Sequence, residues 1–351
     1  MKVTKDEPIK DEPTSAGEDL VLPPEDTRLQ LPTTMSFYGA DRILRRHCGV
    51  KKAEVPASLS WQHGWCCRGR QEIDPVLLIK EPTIDASKTF LVARTDEANY
   101  LQNHGLESHA IGLPFVYAQP MAAKRIPNSL LVMPAHSLGH SQHQWKFTEY
   151  AQQIAKIARK FDRVVVCVHS ACARKGYWLP QFQDLGIECI GGADVFDING
   201  LLRIKTLFSQ FEYMTTNTLG SHVAYAAASG IRVSIFGEYA QLEPADFEKS
   251  EFYNLNPHVL EPVLRLTSQS YARATYPQFF CEPTAAGLHV DWALQEIGAE
   301  NLRSPAEIKK LLGWDAFSMS QEKLKLLSRA VCRGPERAVK RLLFNRGAKK
   351  Q

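Results

Sequence analysis

The sequence predicts an α/β protein whose C-terminal half is a doubly wound parallel sheet. Three observations predict it. Apolar, β-branched runs such as SLLVMP (129–134), RVVVCV (163–168) and IRVSIFG (231–237) are continuous rather than alternating, as in strands covered on both faces. Helix-like segments separate five such runs. Polar clusters follow the runs, at the strand ends where open α/β sheets bind ligands.

Taken in order, residues 1–34 read as a solvated acidic tail. They carry the tandem repeat KDEPIKDEP and too little apolar surface to offset the entropy of ordering. A docking or regulatory role is the alternative. From Ser36 the pattern turns globular. SFYGADRILRRHCG predicts a helix ending at Gly49. SLSWQHG, VLLIK and FLVA read as short strands. RTDEANYLQNHG reads as a helix with a Thr95–Glu97 start and a stop at Gly105, and HAIGLP as a further strand. FVYAQPMAAKRIPN has two prolines and no clear period, so it is taken as a linker.

The second half is clearer. After SLLVMP, the run QWKFTEYAQQIAKIARKF places Tyr150, Ala151, Ile154 and Ile157 on one helical face. RVVVCV is a buried strand. YWLPQFQDLG is a short helix broken near Pro180, and IECIGG a strand. NGLLRIKTLFSQF is a helix, EYMTTN a strand, GSHVAYAAASG a short helix and IRVSIFG the last strand. Helices dominate beyond Gly237. SPAEIKKLLGW opens with Ser304 as N-cap, Pro305 in the first position and Glu307 in the third. The predicted units are 1–34, a first domain 35–127, a second 128–300, and C-terminal helices with a basic tail 301–351.

Net charge is +4 over 351 residues, too weak to argue for nucleic acid by itself. The opening MKVTKDEP lacks the apolar core of a signal peptide. Eight cysteines show no CxxC pair and no disulfide-framework spacing, which reads as a reducing cytoplasm. The terminal KLKLLSRAVCRGPERAVKRLLFNRGAKK holds ten Lys or Arg against one Glu. Its amphipathic character fits peripheral attachment to an anionic membrane surface. A solvated terminal helix is the alternative, and aromatic residues of the kind that stack bases are missing.

Four strand-end loops carry the candidate chemistry: PAHS (134–137), HSACARKG, GGADVFDING and TTNTLGS. In the last, Gly220 permits close backbone approach, Ser221 is the expected cap, and the helix start behind it favours a phosphate. His222 adds a hydrogen bond or a charge. A capped packing helix without ligand is the other reading of this stretch. His136, His140 and His143 are spaced for zinc on a helix, but Gly139 argues for a loop and no fourth ligand lies nearby. A phosphate or sugar contact by His136 with Ser137 is preferred, and no metal is expected. His63 in SWQHGW is either a turn histidine or a base. Asp197 is either a helix cap or a ligand contact. There is no GxSxG, P-loop, HExxH or GxGxxG.

The order of QHGW, ARTDEANYLQNHGLESHAIGLPFVYA, LLVMPAHS, GADVFDINGLLR, TTNTLGSHVAYAAASGIRVSIFGEY and LLGW resembles GT-B glycosyltransferases of bacterial capsule and lipopolysaccharide biosynthesis, over about residues 36–315. The resemblance implies two Rossmann-like domains facing a cleft and a nucleotide-sugar donor. It also implies a saccharide or lipid-linked acceptor, and no cofactor or metal. On this sequence it places His136, Ser137, Thr216, Asn217, Gly220, Ser221 and His222 at the donor phosphates. Asp197 and Asn199 fall at the nucleoside and His63 as general base. A CDP-glycerol-type polyol-phosphate transferase, a sugar-nucleotide epimerase and a non-catalytic binding protein are the alternatives on that scaffold.

Overall fold

A computed structural model describes residues 20–28, 33–51, 53–69, 73–137 and 143–315. The KDEP repeat, His140, Cys332 and the basic tail fall outside them.

The first unit runs α1 (Ala40–His47), β1 (Leu59–Trp61), α2 (Pro75–Ile79), β2 (Thr89–Val92), α3 (Thr95–Asn103), β3 (Ser108–Ala110) and α4 (Pro114–Tyr117). Its three strands form a parallel sheet in the order β1-β2-β3. Two expectations change here. VLLIK is helix α2 rather than a strand: Asp74 Oδ1 accepts from Val76 N at 2.8 Å, and Pro75 takes the first helical position. An Asp-Pro pair pre-organises a helix start whatever the apolar run behind it. FVYA is not linker either. It forms α4 and buries Phe115 and Tyr117, which are apolar anchors between the two sheets.

The second unit runs β4 (Ile126–Val132), α5 (Phe147–Ala158), β5 (Arg163–Val168), α6 (Ser170–Arg174), α7 (Leu179–Gln183) and β6 (Glu188–Gly191). It continues through α8 (Gly200–Gln210), β7 (Phe211–Thr216), α9 (Ser221–Ala228) and β8 (Arg232–Ile235). The sheet is wholly parallel in the order β6-β5-β4-β7-β8. This is the doubly wound order, and its switch point lies between β4 and β7. Pro180 sits in the first turn of α7, where it starts the helix rather than breaking it.

Five further α-helices follow among the described residues: α10 (Glu251–Leu255), α11 (Leu260–Thr267), α12 (Gln269–Thr275), α13 (Val290–Glu296) and α14 (Pro305–Leu311). The Ser304 cap forms as the sequence predicts: its Oγ accepts from Glu307 N, and Glu307 Oε2 accepts from Ser304 N at 2.8 Å. The last helices return to the first unit. Trp314 Nε1 donates to Glu54 O, and Leu113 N donates to Ile297 O. One apolar cluster runs from Trp61 and Leu91 through Phe115 and Tyr225 to Met214, Val233 and Trp314, so the two sheets share a core.

The solvated-tail reading does not extend to residues 20–28. Val21 N donates to Gln210 Oε1 and Gln210 Nε2 donates back to Val21 O, both at 2.9 Å. Thr27 bridges Asp197, Arg28 pairs with Asp41, and Leu20 and Leu22 pack on the core. Two leucines and a buried Pro23 supply the apolar contact that the acidic composition around them hides.

No helix among the described residues is long and apolar enough to cross a membrane. The seven described cysteines are unbridged, including the adjacent Cys66 and Cys67.

Candidate active site at the sheet switch point

The loops after β4, β5 and β7 meet at the carboxyl edge of the sheet, and the loop after β1 reaches them from the first unit. Each brings a histidine. His136 and His169 stack with ring centroids 4.9 Å apart. His222 Nε2 lies 2.8 Å from Thr216 Oγ1, and the ring folds back over Gly220. His63 sits edge-on to Phe37 at 4.9 Å, and its carbonyl accepts from Tyr225 Oη at 3.3 Å. A methyl group on Gly64 would stand 2.7 Å from Ser221 Oγ and 3.9 Å from Lys80 Nζ. The first unit therefore touches the start of α9 here.

Burial lowers His63, His169 and His222, each to about 3. Lys80 and His136 depress His63 further, and His136 depresses the other two. All three imidazoles are therefore neutral at neutral pH. His136 is also lowered by its protein surroundings, although its side chain is open to solvent. A residue ringed by protein yet reachable by water marks a concave floor, and that water moderates the shift.

Two ring nitrogens in the cluster, His63 Nδ1 and His169 Nε2, are buried with no hydrogen-bond partner among the described residues. His169 Nδ1 accepts from Ala171 N at 3.1 Å. The proton of the neutral ring therefore belongs on Nε2, which is a donor.

Helix α9 is entered differently from the expectation. Its N-cap is Gly220 in extended conformation, with no side-chain cap. Ser221 has already taken helical angles, so its hydroxyl points outward towards Gly64 instead of back along the chain. Val223 N already donates to Gly220 O at 3.0 Å, which leaves the N–H groups of Ser221 and His222 as the ones with capacity for an anion.

Ser137 Oγ accepts from Lys175 Nζ at 2.8 Å, which brings a cation to the β4 loop. Thr216 is fully buried and serves His222. Asn217 is structural: its Oδ1 accepts from Ala135 N at 2.9 Å and its Nδ2 donates to Glu238 O at 3.1 Å. Asp197 and Asn199 are also taken up by the chain. Asp197 Oδ1 accepts from Asp26 N and Asn199 N, and Asn199 Nδ2 donates to Pro24 O at 2.8 Å. His143 stands apart from the expected trio, paired with Asp246 at 3.0 Å and stacked on Trp145. Among the described residues no group of His, Cys, Asp and Glu is arranged to hold a metal.

Sequence reasoning did not single out His169, Lys175 or Lys80. The first two lie in HSACARKG, whose polarity was visible. Lys80 was hidden by the strand reading of VLLIK; it closes α2 in the left-handed region at φ 57°. A cavity of about 520 Å³ opens at the end of β8, lined by Gln153, Phe236, Gly237, Glu238, Tyr239, Gln241 and Gln269 and by none of the four histidines.

No protein-family model matches the chain, and no curated protein matches it. Among solved structures, the pneumococcal O-GlcNAc transferase GtfA in complex with UDP and GlcNAc is similar over 66% of this chain and 45% of its own, at 14% identity and a TM-score of 0.30. A GtfA/B complex is similar over 68% of this chain and 54% of its own, at 10% identity and a TM-score of 0.27. This chain thus spans about half the length of the structures it matches. At these TM-scores the likeness bears on neither fold nor function.

Proposed function

We propose that the chain is a metal-independent glycosyltransferase that takes a sugar from a nucleotide-sugar donor to a saccharide or lipid-linked acceptor of a surface polysaccharide. The observation that carries this reading is the convergence of an uncapped α9 start and four histidines on the β4/β7 switch point. The leaving diphosphate takes the Ser221 and His222 N–H groups at the start of α9, with their side chains beside it. His136, Ser137 and Lys175 line the opposite side. The cavity at the end of β8 gives room for a group attached to the phosphates.

His63 deprotonates the acceptor hydroxyl. At about 3 it is a weak base in the free protein. Negative charge on the bound donor raises it towards the operating pH, so base strength arrives with the substrate. That coupling disfavours proton abstraction from water before the donor is seated.

A thermal-shift screen tests the reading. A nucleoside diphosphate at about a hundred times its dissociation constant stabilises by about 2.7 kcal/mol. Absence of stabilisation by UDP, GDP, CDP and CMP alike overturns it. His63→Ala is expected to retain that shift and to lose transfer by two to four orders of magnitude, the usual worth of a general base (roughly 10²–10⁴).

A further inference from the structure

We infer that Glu296, at the end of α13, is a positioning residue for His63, acting through Trp65 and Arg94. The inference rests on the reading of His63 as the base. His63 and Gly64 sit in a four-residue loop whose two outer members are both pinned. Gln62 Oε1 accepts from Ala93 N at 2.8 Å, and Gln62 Nε2 donates to Glu97 Oε1 at 3.4 Å. On the other side Trp65 Nε1 donates to Glu296 Oε2 at 2.8 Å.

Arg94, itself only 3% exposed, joins the two carboxylates. It reaches Glu97 Oε1 at 3.0 Å and Glu296 Oε2 at 3.3 Å, and its NH1 donates to the Glu296 carbonyl at 3.1 Å. Arg68 Nε completes the set on Glu296 Oε1 at 2.7 Å. Both acids are fully buried. Buried acids so placed are held by their partners, and each partner is held in return.

The two anchors come from different parts of the chain. Glu97 belongs to α3 of the first unit, whereas Glu296 ends a helix that packs against α9. The loop that carries His63 is therefore referenced to the same body that carries the anion-binding helix start. Gly64 adds no side chain of its own, so the loop backbone is set by these anchors and by Tyr225 Oη on the His63 carbonyl, while Phe37 packs edge-on against the ring. The charged and titratable groups acting on His63 are Lys80, at the end of α2, and His136, after β4.

Two substitutions test this in the full-length protein. Glu296→Gln keeps the shape and weakens the ion pairs. Trp65→Phe keeps an aromatic ring beside Tyr276 and Trp292, removes the indole donor with part of the ring volume, and leaves Arg94 with both acids. The readouts are the imidazole resonance of His63 against pH, and kcat and KM measured separately. In both variants water is expected to reach the ring, so that His63 titrates at higher pH than in the parent. Transfer kcat is expected to fall roughly ten- to a hundredfold, the scale of a 1 Å misplacement, with donor KM unchanged. Glu282→Gln, which removes an exposed pair with Lys160, is the control expected to alter neither. A cooperatively folded Trp65→Phe protein whose His63 titration and kcat match the parent overturns the inference. Failure of the parent to bind any nucleotide instead overturns the functional reading, and the His63 titration still decides the positioning.

Discussion

Asn217 uses both polar atoms of its side chain on the chain itself, one on the β4 loop and one on the β8 loop. Asn217→Asp keeps the acceptor for Ala135 N but sets a carboxylate against the Glu238 carbonyl. It is expected to cost about 3 kcal/mol in chemical denaturation, because a buried acceptor loses its donor and meets a charge. The family resemblance put Asn217 at the donor phosphates, and its strand-end place before a Gly-Ser helix entry suits that role equally well. What distinguishes the two roles is where Ala135 and Glu238 arrive, a tertiary fact. The histidines were easier. His63 and His136 come within a few residues of apolar runs, where the strand itself places a polar residue at the sheet edge, and His222 lies in the first turn of the helix that follows the β7 loop. His169 is equally placed but was read as one polar residue among several.

The elements of the second sheet were legible because each continuous apolar run had to be covered on both faces. The first unit was harder, because its strands are three or four residues long and carry little periodicity. There the end signals carry more information than the run: Asp74-Pro75 identifies α2, and Glu97 accepting from Arg94 N at 3.0 Å identifies the start of α3. In α9 the alanines matter individually. Ala224, Ala226 and Ala227 are fully buried, in a helix packed against α13. Ala226→Leu is expected to destabilise by about 1–3 kcal/mol through overpacking, visible as a lower urea midpoint at unchanged slope.

At the scale of the whole molecule, the histidine cluster makes stability depend on acid. His63, His169 and His222 fall from the usual 6.5 to about 3 on folding. Between those values the unfolded chain binds more protons, so stability falls as pH drops from about 6.5 towards 3. Glu97 acts in the opposite sense, since burial raises it to about 7 despite Arg94, but it is one group against three. The melting temperature is expected to decline below pH 6.5, and a bound diphosphate, which favours protonated imidazoles, should flatten that decline. Equal slopes with and without ligand would separate the anion from the cluster. The packing of the two units is equally exposed to a single change. Gly298 has φ +69°, and a Cβ there would lie 1.9 Å from the Ala93 carbonyl oxygen. Gly298→Ala is expected to cost about 3 kcal/mol, near the upper end of ordinary point substitutions, in equilibrium unfolding.

The strap of residues 20–28 has a practical consequence. It supplies a backbone donor to Asp197, an acceptor to Asn199 and a cation to Asp41. Cutting the chain at Ser36, where the globular pattern begins, removes all three and leaves a carboxylate that is 1% exposed short of a partner. Each such loss costs about 1–3 kcal/mol. A chain beginning at Ser36 should melt well below one that begins just before Leu20 and keeps the strap, as a thermal-denaturation comparison of the two would show. A shortened chain that is to keep these three contacts therefore has to begin ahead of the strap rather than at the first globular pattern.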